Sequence, residues 1–229
     1  MKFYIWEKEL EFDENTKQLK FDDKVINPAV RTYGDMKDMY LKNDNKDESE
    51  WLYFMFRWVY LSKYAEDKFN ENNMRYDVTV ILPEIIWEEF NKTYWHYHPK
   101  NNKWNRFEEI YEVLWWSAIY LQQNNEEVKF TDAFVWDKVV MNELFGHITI
   151  NPSDEDILVM ANIVDWNFDS EYGEYKELKG WNYYYKTSWF EKNPNYKNNL
   201  RITESEELFE WWDIYEQFLD NPEKFNFLH

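Results

Sequence analysis

The chain has 229 residues, 44% apolar and 21% aromatic, which is enough to bury the core of one domain with an added terminal element. Its formal net charge is −19, from 45 acidic against 26 basic residues. With no dense basic patch to offset that charge, nucleic acid and anionic membrane are poor partners. The lack of cysteine rules out disulfides and thiolate metal sites and fits a reducing, cytoplasmic setting.

The first residues, MKFYIWEKELEFDENTK, are charged throughout and lack the apolar run of a signal peptide. No stretch approaches the length of a membrane span. Residues 1–50 read as an N-terminal arm with early strands, 51–202 as a β-barrel and 203–229 as a C-terminal helix and tail, all in one domain. Strands are expected at Tyr53–Tyr60, Arg75–Leu82, 93–98, Phe130–Met141, His147–Asn151 and Ile157–Val164. Residues 84–92 are ambiguous, and 99–106 read as a loop. The run from Glu109 to Gln122 is rich in β-formers, with a break near Trp115–Trp116. Short strands at close spacing suggest a sandwich or barrel. In the tail, Thr203-Glu204-Ser205-Glu206 fits a capping box, and Leu208, Trp212, Tyr215 and Leu219 recur at helical spacing up to Pro222.

Three of the four histidines precede the C-terminal residue: His96, His98 and His147. His96 and His98 are two apart on an expected strand, so both leave the same face. Glu109 opens the next strand and adds a carboxylate, and His147 supplies a third imidazole. Three nitrogens and one oxygen suit Fe²⁺, Mn²⁺, Zn²⁺ or Ni²⁺, with positions left for substrate. Glu108 competes with Glu109 for this role, and Glu108 and Glu112 otherwise read as surface charge.

The motifs HYH at 96–98, Glu109 and HITIN at 147–151 resemble those of the cupin superfamily. Further stretches resemble the cupin-type glucose-6-phosphate isomerases of archaea and some bacteria: VRTYGDM (30–36), DVTVILP (77–83), TYWHYHP (93–99), EEIYEVL (108–114), FGHITIN (145–151) and EYGEYKELKGW (171–181). The resemblance implies a mainly β cupin (double-stranded β-helix, jelly-roll) barrel. It implies one divalent metal, Fe²⁺ first, on His96, His98, Glu109 and His147, and a homodimer. It also implies Thr79 and Thr93 near a substrate phosphate, Tyr111 and Tyr172 in the active site, and a small sugar phosphate as substrate. The activity implied is interconversion of glucose 6-phosphate and fructose 6-phosphate. Glu109 would act as base on the way to an enediolate, or a hydride would shift directly. The loop from His98 to Glu109 is longer than the archaeal pattern, and no match stands near Val164 for a further family tyrosine.

Glycine departs most from the pattern. At a usual share of about 7%, roughly 16 glycines are expected; the chain has 4, and 14 tryptophans. Trp87, Trp95, Trp116, Trp136 and Trp181 stand where the family pattern has glycine. In some bacterial lineages UGA encodes glycine, so reading such a gene with UGA as tryptophan yields this composition. On that reading Trp95, beside the first metal histidine, crowds the substrate site. Three other readings of the chain are an iron-dependent dioxygenase, a non-catalytic sugar-binding module and an inert structural protein. The first requires dependence on O₂. The second requires aromatics with period two on one strand face, which the tryptophans lack. The third leaves the histidine set unexplained.

Overall fold

A computed structural model describes residues 1–100, 106–167, 177–206, 208–209 and 213–229. Nineteen strands and three α-helices are named in chain order. Strands β1 (Lys2–Ile5), β2 (Lys8–Asp13), β3 (Gln18–Phe21) and β4 (Lys24–Ile26) form an antiparallel meander at the N-terminus. Then come β5 (Ala29–Thr32), α1 (Tyr33–Met36), β6 (Trp51–Phe56), α2 (Lys63–Glu71), β7 (Met74–Ile81), β8 (Ile85–Ile86), β9 (Glu89–Phe90) and β10 (His96–Tyr97). They are followed by β11 (Glu109–Trp115), β12 (Ser117–Gln123), β13 (Val128–Phe134), β14 (Lys138–Met141), β15 (Gly146–Ile150) and β16 (Leu158–Asp165). The chain ends with β17 (Tyr183–Lys186), β18 (Trp189–Lys192), β19 (Ile202–Glu204) and α3 (Ile214–Asp220).

Two sheets make the barrel. One has the order β14-β11-β16-β7-β6-β5, the other β10-β15-β12-β13-β19. Between them lies a core that includes Tyr53, Ile81, Val113 and Met160 from the first sheet and Ala118, Tyr120, Phe130 and Ile148 from the second. The six-stranded sheet is covered on its other face as well. Phe54, Tyr76, Val78, Ile110, Leu114 and Ile163 meet Phe3, Leu10, Phe12 and Leu19 of the N-terminal meander, Phe69 of α2 and Tyr215 and Phe218 of α3. Burial on both faces explains why β16 reads as a near-continuous apolar run, whereas β7 alternates, with Arg75, Asp77 and Thr79 at every second position. The polar residues Asp77 and Thr79 of β7, Glu109 and Glu112 of β11 and Asn162 of β16 are buried as well.

Several expectations are corrected. The strand over 53–60 spans Trp51–Phe56 instead, because Trp58 takes φ 60° and leaves the extended region. Only His96 and Tyr97 of 93–98 pair as a strand. Thr203 does not cap a helix: Ile202–Glu204 adds in parallel to β13, with Lys129 opposite Thr203. The terminal helix starts at Ile214, capped by the Asp213 side chain, which accepts from the Glu216 N–H. Leu208 is exposed outside it, and Trp212 lies outside the described residues. Glu112 is not surface charge. It is fully buried, 3.1 Å from Lys138 Nζ, and it accepts from the Ile214 N–H, joining β11 to α3. Most of the loop expected at 99–106 lies outside the described residues. The break near Trp115–Trp116 stands, since Trp116 is the single residue between β11 and β12.

Of the eleven described tryptophans, nine are exposed, against the usual preference of this side chain for burial. Six adopt positive φ: Trp6 (53°), Trp58 (60°), Trp87 (60°), Trp116 (73°), Trp136 (76°) and Trp189 (139°). Trp6 and Trp87 are the first residues of two-residue hairpin loops, between the pairs Ile5–Lys8 and Ile86–Glu89. That is where a II′ turn uses glycine. Trp136 is the third residue of a turn closed by the Asp137 N–H on the Phe134 carbonyl, 2.8 Å apart. Its φ is the value, about +80°, that a type II turn demands there. Trp95 and Trp181 are buried against each other without positive φ.

Candidate metal centre

The barrel brings four separated segments to one point. His96 on β10 pairs with His147 on β15, and Gln122 of β12 flanks His147 on the other side. Glu109 opens β11 on the facing sheet, and His98 follows β10. One donor atom from each of His96, His98, Glu109 and His147 falls in a group no wider than 4.8 Å. With metal–ligand bonds of about 2.0–2.2 Å, two donors on one ion stand at most about 4.4 Å apart, so the set is somewhat wider than a closed ligand shell. His98 Nε2 and His147 Nε2 are each 3.6 Å from Glu109 Oε2. That carboxylate oxygen is buried and accepts no hydrogen bond, so an ion would satisfy it.

Neighbouring groups orient the ligands. His98 Nδ1–H donates to the Phe107 carbonyl at 2.5 Å, and His96 Nδ1–H to the Tyr94 carbonyl at 3.3 Å. Both rings therefore turn Nε2 toward the centre, the arrangement metal-bound imidazoles use. Asn162 Nδ2–H donates to Glu109 Oε1 at 2.6 Å and fixes that carboxyl. The Tyr111 hydroxyl donates to His147 Nε2 at 3.3 Å, and His147 Nδ1 is 3.1 Å from His98 Nε2.

Burial sets the charge of the site. It lowers His96 to about 4 and His98 to about 3, and it holds His147 well below its usual value. All three are neutral donors at physiological pH, as a metal requires. Burial pushes the Glu109 carboxyl up to about 7. Without a counter-charge, a carboxylate there carries a desolvation cost that a divalent ion would offset.

A pocket partly open to solvent lies over the centre. His96, Glu109, Tyr111, Thr79, Thr93, Tyr53, Tyr94 and Asn162 line it, together with Arg31, Arg57 and Arg75. The structure thus brings Thr79, Thr93 and Tyr111 to the candidate metal set. Tyr172 lies outside the described residues. Trp95 does not line the pocket: Tyr94 and His96 face it, while the Trp95 ring turns the other way, with Nε1 2.8 Å from Met39 Sδ. The expected crowding is absent because alternate residues of an extended segment point to opposite sides.

The sequence reading missed Arg31, Arg57, Arg75, Asp77 and Asn162. Asn162 carries a signal, as a polar residue within the otherwise apolar run Leu158–Val164, whereas Asp77 does not stand out between Arg75 and Thr79 on its strand. The register aligns Asn162 with both Asp77 and Tyr111 on adjacent strands, on the barrel's inner face.

The family model described as glucose-6-phosphate isomerase (GPI) matches residues 30–201. No curated protein matches the chain. Similar solved structures include an oxalate oxidase bound to the substrate analogue glycolate, 13% identical over 44% of each chain with a TM-score of 0.32. An oxalate decarboxylase from Lactobacillus farciminis is 17% identical over 56% of this chain and 32% of that one, with a TM-score of 0.40. A vicilin from Corylus avellana (hazelnut) is 12% identical over 65% and 33%, with a TM-score of 0.41. The chain spans less than two thirds of the length of each of these proteins. No helix among the described residues is long and apolar enough to cross a membrane.

Proposed function

This chain belongs to the glucose-6-phosphate isomerase (GPI) family, and we propose that it is a metal-dependent aldose–ketose isomerase interconverting glucose 6-phosphate and fructose 6-phosphate. The observation that carries the reading is the convergence of His96, His98, Glu109 and His147 within 4.8 Å at the floor of a pocket that also holds Thr79, Thr93 and Tyr111. A divalent ion on those four side chains would polarise the substrate carbonyl as a Lewis acid. Fe²⁺ is the first candidate, with Mn²⁺, Ni²⁺ and Zn²⁺ as the others.

The chain's own groups perform the rest. Isomerisation moves one hydrogen between C1 and C2 and one proton between the two oxygens. Glu109 would take a proton from C2 and return it at C1 once its carboxylate partly leaves the ion. Asn162 holds Oε1 and so aims Oε2 into the pocket. With His147 Nε2 taken by an ion, the buried Tyr111 hydroxyl beside it would be released to donate a hydrogen bond to a substrate oxygen. The Thr79 and Thr93 hydroxyls serve the phosphate. Thr93 is fixed by the Thr149 N–H, which donates to Oγ1 at 3.0 Å. Family membership also supports a homodimer, which light scattering would test.

The test is a coupled assay in which fructose 6-phosphate is supplied and glucose 6-phosphate detected, before and after chelation and with each of the four ions restored. Activity that the chelator removes and one ion returns is the expected result. Absence of activity with every ion, in protein that still binds metal at these residues, overturns the isomerase reading.

A further inference from the structure

We propose that Arg31 and Arg57 form the anion-binding end of this pocket, the place where the phosphate of a phosphorylated substrate is held. The inference rests on the isomerase reading for its substrate class and on the arginines' placement for its site. The chain carries five arginines against 45 acidic residues, yet three of the five line one pocket. They arrive from three neighbouring strands of one sheet: Arg31 on β5, Arg57 just beyond β6 and Arg75 on β7. Asp77 is the buried counter-charge beneath them. Its Oδ2 is 2.6 Å from Arg57 Nη1 and 2.8 Å from Arg75 Nε.

One carboxylate therefore serves two guanidiniums, and Arg31 lies across the face of Tyr94 at 5.7 Å. Arg57 and Arg75, two guanidiniums on the one Asp77 carboxylate, leave positive charge at this end of the pocket in a strongly acidic protein. Arg75 is largely buried, whereas the Arg57 side chain is 42% exposed and free to offer its remaining N–H groups to a ligand. Guanidinium forks match phosphate oxygens in geometry and charge. Thr79 and Thr93 line the same pocket and add neutral donors. A positive rim also draws an anionic substrate toward a chain whose net charge repels it.

The test titrates Zn²⁺-loaded full chain by calorimetry with inorganic phosphate, fructose 6-phosphate and fructose. Arg31→Gln, Arg57→Gln and, as a remote control, Arg201→Gln are compared. Loss of one charged hydrogen-bonding partner should weaken binding of both phosphorylated ligands about tenfold or more, with Zn²⁺ affinity unchanged and the control like the parent. In the isomerase assay the same two variants should raise KM while leaving kcat near the parent value, the signature of lost uniform binding. Unchanged phosphate affinity in both variants overturns the anion subsite, whatever the catalytic result. Arginine-dependent phosphate binding without chelator-sensitive isomerisation keeps the subsite and removes the isomerase reading instead.

A second, independent inference concerns the backbone: we infer that the functional polypeptide carries glycine at positions 6, 58, 87, 116, 136 and 189. These six tryptophans have positive φ, and all six are exposed, so packing does not account for them. Sequencing the source gene and measuring the mass of the protein from its own cells test this. UGA codons at the six positions, with a mass lower by at least six tryptophan-to-glycine differences, are expected. UGG codons, or tryptophan in the corresponding peptides of the native protein, overturn it.

Discussion

Trp115 and Trp116 are adjacent, carry the same side chain and are exposed to nearly the same degree, 45% and 41%. They differ in backbone: Trp115 ends strand β11, while Trp116 sits at φ 73° between β11 and β12. A bulky L-residue held in the left-handed region costs about 1–2 kcal/mol, and replacing it by glycine removes that cost. Glycine also frees the unfolded chain, which returns about 0.5–1 kcal/mol. Trp116→Gly should therefore stabilise by about 0.5–1 kcal/mol. Trp115→Gly has no strain to relieve and should destabilise by about 1 kcal/mol. Urea unfolding followed by far-ultraviolet circular dichroism avoids the fluorescence changes that removing a tryptophan brings. With a slope of about 2–3 kcal/mol/M, the midpoint should rise by about 0.2–0.5 M for Trp116→Gly and fall by a similar amount for Trp115→Gly. Trp116→Asn should recover part of the gain, because asparagine tolerates this region. If the two tryptophan-to-glycine changes shift the midpoint in the same direction, the backbone argument is wrong.

Metal affinity should follow Glu109 rather than the histidines. Its folded pKa is raised to about 7, so protons compete with the ion from about pH 7 downward, and affinity should drop near tenfold per pH unit below that. In Glu109→Gln, binding should be weaker but flat until His96 begins to protonate near pH 4, as read by zinc titration across pH. Asp77→Asn removes the buried counter-charge of Arg57 and Arg75 and should cost about 3 kcal/mol, the low end for a broken buried pair because Arg57 reaches water; urea unfolding measures it. Phe69→Ala empties a fully buried site stacked on Phe218 at 4.1 Å. A loss of about 3–5 kcal/mol is expected by the same method, and a loss under 1 kcal/mol would mean that α2 and α3 do not pack as described.

The sequence by itself determined the local features. The β-rich runs at 75–82, 109–122 and 157–164 were legible because β-branched and aromatic residues crowd them. Two members of the candidate metal set were legible because His-x-His places two imidazoles on one strand face at any register. The excess of tryptophan over glycine needed only a count. Tertiary structure alone decided what depends on register and on the partner face. The strand ladder aligns Asp77, Asn162 and Tyr111 on neighbouring strands, residues up to 85 positions apart in sequence that no local pattern links. Burial by α3 turned Glu112 from an apparent surface charge into a buried anchor for Ile214. The edge of β13 took Ile202–Glu204 as a strand, overriding a capping pattern that is sound locally, because an open sheet edge offers hydrogen bonds to any extended segment that reaches it. Side-chain alternation sent Trp95 into the core and left His96 at the site, a choice fixed by which face of the segment meets the barrel.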